Sequence, residues 1–180
     1  MKYWSMSALS IYKYLESMAN TLDKIVVETG KSSNDIRLQK YQTTQYQTMK
    51  IIELMDRKRK MINLKIAVED TLCKLSLIDR RILTLIFIDG LKSELLAQVL
   101  GISIRTYFRK KQQALNHFKT ILETNGFNKE FFEKEYLNEA WFISIYNDYI
   151  SKNNSNEILK SSIMRQVFKE VGKIDLACNI

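Results

Sequence analysis

The sequence predicts an all-α, multi-helical protein with a helix-turn-helix in its middle. Three observations carry that expectation. The 180 residues include no proline and only five glycines, the residues that punctuate β-rich chains with tight turns. Leu, Lys, Glu and Gln, all good helix formers, are plentiful, although the abundant β-branched Ile pulls weakly the other way. Apolar residues also recur at three- and four-residue steps along several stretches. Hydrophobic residues make up 46% of the chain, enough to build the core of one ordinary domain or two small ones.

Four segments follow from that periodicity. Residues 1–30 read as an amphipathic helix whose stripe is Trp4, Ala8, Tyr12, Leu15, Met18, Leu22 and Ile25. Gly30 is expected to end it, before a polar linker over residues 31–35. Residues 36–75 read as a helical connector with Met49, Ile52, Met55, Ile62, Ile66 and Leu72 as its apolar stripe and a break near 60–63. Its run Arg57-Lys58-Arg59-Lys60 has two readings, phosphate contacts or the commoner solvated helical face. Residues 76–125 open with Ser76 and Asp79 at capping-box spacing and a helix over 77–88 that Asp89-Gly90 closes. Residues 127–180 read as a C-terminal helical module rich in aromatics: Phe131, Phe132, Tyr136, Trp141, Phe142, Tyr146 and Tyr149. A polar loop over 151–156 separates a last helix over 157–171. The sequence leaves open whether this tail packs on the first helix, on a second copy or on an effector.

Charge narrows the function. The chain is formally +8, a balance that suits a polyanion. Residues 1–127 hold 21 Lys+Arg against 12 Asp+Glu, whereas residues 128–180 hold 7 against 8. The basic character therefore belongs to the first two thirds. Cys73 and Cys178 are too few and too distant for a disulfide framework or a metal site. The longest apolar run, over 82–88, is too short to span a bilayer, and the first residues lack the apolar core of a signal peptide. The expectation is a cytoplasmic protein that does not engage a membrane. No phosphate-binding glycine loop, metal-ligand cluster or nucleophile–His pairing is present. No catalytic activity, cofactor or metal is expected, and His117 reads as a partly exposed helix residue.

The informative stretch is residues 90–111. A helix-turn-helix needs a small residue where its second helix crosses the first, and Ala97 is placed for that. Four residues on, Gly101 can take the positive φ of the turn. Leu96, Leu100 and Ile102 supply apolar groups on both sides of it, and Ser103 is positioned to cap the second helix. That helix carries Arg105, Arg109, Lys110, Lys111 and Lys119, and no acidic residue lies between Ser103 and Ile121. Tyr107, Ala114, Leu115 and Phe118 should face the core, with an outward Tyr107 that points at DNA as the alternative.

Residues 72–122 resemble region 4 of the sigma-70 family, the part that reads the −35 promoter element. The run from Ile102 to Lys111, with Ala114, Leu115 and Phe118, is most similar to phage-encoded ArpU-type transcriptional regulators. Those share the fold and typically show Ser-x-Arg-Thr-Tyr-Tyr-Arg here. The pattern departs at Lys92, where region 4 carries a capping Ser or Thr that Ser93 would replace, and at Leu95, where it carries a polar residue. It departs again at Lys110, where an aliphatic residue is usual and the lysine stem would have to lie along the apolar surface. Nothing before residue 72 resembles the promoter-melting or core-binding region of a sigma factor.

The resemblance implies sequence-specific binding of double-stranded DNA, with the second helix in the major groove. Ile104, Arg105, Thr106, Phe108 and Arg109 would face the base edges. Of these, Arg105 and Arg109 would pair with guanine, and Ile104 or Phe108 would meet a thymine methyl. Arg80, Arg81, Lys110, Lys111 and Lys119 would bind phosphates. RNA polymerase and a second copy of the chain stand as further partners. The competing readings are a polymerase-associated factor, a phage DNA-packaging or replication module, and a helical protein-interaction scaffold without DNA binding.

Overall fold

The computed structural model describes residues 2–32 and 44–151. The expected helix over 157–171, the loop over 152–156 and residues 36–43 of the connector lie outside these. Among the described residues the protein is all-α: α1 (Lys2–Ser32), α2 (Thr44–Lys74), α3 (Leu77–Leu83), α4 (Ser93–Val99), α5 (Ile104–Thr124), α6 (Lys129–Tyr136) and α7 (Ala140–Ser151). A single π-helical turn, Thr84–Ile88, continues α3. No described helix is long and apolar enough to cross a membrane.

The long helices α1 and α2 form an antiparallel pair, and the cross-links between them give its direction. Tyr12 donates to Glu69 (2.8 Å), Lys65 to Glu16 (2.9 Å) and Lys58 to Asp23 (2.6 Å), so rising numbers on α1 meet falling numbers on α2. Burial and the bond to Glu69 push the Tyr12 hydroxyl up to about 12, so it remains a donor across the physiological range. The expected stripe of α1 is the buried one: Trp4, Ala8, Leu15, Met18, Leu22 and Ile25 are all within 5% of full burial. Gly30 does not end α1, which runs on to Ser32, as a helix can when glycine's cost is only about 1 kcal/mol.

The second helix departs from expectation in two ways. It shows no break at 60–63. Its buried residues are Leu54, Met61, Leu64, Ala67, Val68, Thr71 and Leu72, with Gln47, while Met49, Ile52, Met55, Ile62 and Ile66 are exposed. The helix carries apolar residues on two faces, and the one that α1 covers is the other. The basic run is neutralised within the protein. Arg57 pairs with Glu53 (2.8 Å), Lys58 with Asp23 (2.6 Å), Arg59 with Asp56 (2.5 Å) and Lys60 with Glu139 (2.8 Å).

The aromatic tail packs on the first helix. Trp4 stacks on Tyr146, Phe132 and Phe142, and the Ser10 and Tyr149 hydroxyls are hydrogen-bonded to each other. Tyr136 donates to the Lys60 carbonyl (3.0 Å) and is fully buried. Buried residues from Trp4 to Ile145 form one continuous cluster, so the tail shares its core with α1 instead of building its own. A turn over 137–139 divides the tail into α6 and α7. There the Glu139 carboxylate accepts from Lys60 (2.8 Å) and from the Trp141 indole N–H (2.9 Å).

Candidate nucleic-acid interface

α4 and α5 are joined by a four-residue turn that follows local backbone rules. The N–H of Ile102 reaches the Ala97 carbonyl and that of Gly101 the Gln98 carbonyl, both at 3.0 Å. With Gly101 at φ +63°, this is a Schellman ending, which needs a left-handed residue where any side chain strains the backbone. Ser103 then caps α5, accepting from the Thr106 N–H at 3.2 Å. Leu96 and Ala97 are buried where α5 crosses, and Leu100 and Ile102 are half-buried on either side of the turn. The N-cap of α4 differs from expectation. Lys92 occupies it without a side-chain bond, and Ser93 lies one residue inside the helix.

The helix α5 packs against α1, α2, α3 and α4. Tyr107, Ala114, Leu115, Phe118 and Leu122 are buried. The opposite face is open. Arg105 and Arg109 are exposed there, and at the N-terminal end of the helix Ile104 (43%) and Phe108 (51%) are exposed on the flank above Leu115. Two apolar side chains held half in water beside two arginines are what a surface that meets base edges and methyl groups presents. Among the described residues neither Arg105 nor Arg109 makes an ion pair or a side-chain hydrogen bond. Every member of the Arg57–Lys60 run, by contrast, has a carboxylate partner.

The other expected site residues are placed unevenly. Thr106 is half-buried and its hydroxyl is hydrogen-bonded to that of Ser103 (2.9 Å), so it belongs to the cap and not to the open face. Lys110 and Lys111 are half-buried on α5. Lys119 lies 3.9 Å from Glu123, and Arg81 on α3 is exposed.

Arg80 points elsewhere. Its Nε donates to the Leu72 carbonyl (2.8 Å) and its Nη2 to that of Cys73. These are carbonyls of the last turn of α2, where the i+4 helical donors run out and the Leu72 carbonyl accepts otherwise only from the Leu75 N–H (3.3 Å). In the structure Arg80 acts as a helix clasp. Arg80→Ala is expected to lower unfolding stability by about 1–2 kcal/mol and to leave the salt dependence of DNA affinity unchanged. A reduced salt slope without loss of stability in urea titrations would reverse that assignment.

Ser76 caps α3 by accepting from the Asp79 N–H (3.2 Å), but the Asp79 carboxylate does not complete a capping box. It turns to His117 Nδ1 on α5 (2.7 Å). That contact ties the helix before the motif to the back of α5, and it joins residues 38 positions apart that no sequence spacing links. Two residues outside the expected set share the open face: Gln112 and Asn116 are exposed beyond Arg109. Their signal was the helical step from the two arginines.

Residues 65–118 match the family described as Sigma-70, region 4. The match starts inside α2, runs through the helix-turn-helix and covers under a third of the chain. No curated protein and no solved structure matches. The middle of the chain is therefore a sigma-70 region 4-like helix-turn-helix, a DNA-binding element, within an all-α protein.

Proposed function

We propose that the protein binds double-stranded DNA sequence-specifically and acts as a transcriptional regulator of the ArpU type, without catalytic activity. The observation that carries this reading is the contrast between its two basic clusters. Carboxylates of the same chain neutralise the Arg57–Lys60 run. Arg105 and Arg109 are left open on a face that holds no acidic residue over two and a half turns. An unpaired guanidinium on a rigid, capped helix matches guanine O6 and N7 bidentately, and each such contact is worth about 1–3 kcal/mol of discrimination. Lys110, Lys111, Lys119 and Arg81 are the proposed phosphate contacts, cations that add affinity without reading sequence.

Arg105→Ala is expected to weaken binding to a selected site about tenfold or more, and binding to random duplex only two- to threefold. Competition titrations with both duplexes measure this. Equal losses on the two would remove the base-reading role. Retention of core RNA polymerase by the tagged chain would assign it instead to a polymerase-associated factor.

A further inference from the structure

We infer that the reading face of α5 continues to Gln112, whose carboxamide pairs with an adenine in the major groove. The inference deepens the DNA-binding reading above and rests on it.

An α-helix turns 100° per residue, so residues seven apart lie within about 20° of one another. Gln112 is seven residues from Arg105, and Asn116 is seven from Arg109. All four side chains are exposed, while Tyr107, Ala114, Phe118 and Leu122 bury the other side of the same helix. They form one polar seam, with Gln112 about 10 Å along the axis from Arg105. That is two to three base steps at about 3.4 Å each.

The chemistry of the seam changes along it. Its first half is cationic and matches guanine. Its second half is neutral amide, which matches adenine. Adenine shows an acceptor, N7, beside a donor, N6–H, and a carboxamide answers with one N–H and one carbonyl oxygen. Gln112 Nε2 donates to Asn116 Oδ1 at 3.1 Å. A carboxamide nitrogen has two hydrogens, so Gln112 keeps one N–H and its Oε1 for the base. Asn116 is a positioning residue: by accepting one hydrogen it orients the amide and reduces the side-chain freedom lost on binding. An amide pair four residues apart that merely supported the helix would leave base preference unchanged, which separates the two roles.

The test is selection of preferred sites from randomised duplexes by the full chain and by Gln112→Ala, Gln112→Glu and Asn116→Ala. The wild type should select an adenine two to three steps from the guanine that is lost in Arg105→Ala. In Gln112→Ala the preference for that adenine should fall about tenfold, with the guanine column intact. Gln112→Glu should move the column toward cytosine, whose N4 donates to a carboxylate. Asn116→Ala should weaken the adenine column without abolishing it. A Gln112→Ala matrix identical to the wild type overturns this inference alone. A wild type that selects no sequence overturns the DNA-reading function and this inference with it.

Discussion

Glu139→Ala should lower unfolding stability by about 2–4 kcal/mol and the melting temperature by roughly 10 °C. The Glu139 side chain is only 7% exposed, and Lys60, its partner at 2.8 Å, is 20% exposed. Removing the carboxylate leaves an ammonium largely out of water with only the more distant Asp56 (3.7 Å) as a counter-charge. Breaking a fully buried pair this way costs about 3–5 kcal/mol, and the partial exposure of Lys60 lowers the figure. The Trp141 indole N–H loses its acceptor as well. Glu139→Gln keeps an acceptor for Trp141 and should lose less. The effect should concentrate in the tail, because Glu139 sits where α6 turns into α7 and holds that turn against α2. Thermal and urea unfolding, with indole fluorescence of Trp4 and Trp141, measure it. A loss under about 0.5 kcal/mol would show that aromatic packing alone holds the tail.

Phe118→Ala should cost about 3–5 kcal/mol, as deletion of a buried aromatic does. Phe118 is fully buried on α5, on the side away from Arg105 and Arg109, so α5 is a core helix as well as the proposed reading helix. Where the variant remains folded, its DNA affinity should stay close to wild type; where it does not, affinity should fall with the folded fraction. Phe118→Leu should retain most of the stability. Guanidinium unfolding checks the first variant, and near-normal stability would mean that α5 is not anchored as described.

The parts that were legible in sequence are those that local rules decide. Gly101, Ser103 and Ser76 mark a turn and two caps, because positive φ and orphan N–H groups demand particular residues within four positions. The stripe of α1 was legible because that helix has a single apolar face. The stripe of α2 was not. Met49, Ile52 and Met55 repeat as regularly as Leu54, Met61 and Leu64, and only the approach of α1 decides which row is covered. The role of Arg80 was also out of reach, since its carbonyl partners become available only once α2 ends at Lys74. The neutralisation of Lys58 and Lys60 depends on Asp23 and Glu139, 35 and 79 residues away. Long-range pairing of this kind leaves no periodic trace.

The open face of α5 is the surface proposed to meet DNA. The most direct measurement is a titration of the whole chain against a mixed-sequence duplex at two salt concentrations, beside an Arg105→Ala/Arg109→Ala variant whose fold is checked by circular dichroism. Binding is expected to weaken steeply with salt and to be largely lost in the folded double variant. Absence of wild-type binding at low salt, or equal binding by the folded variant, would contradict the proposal.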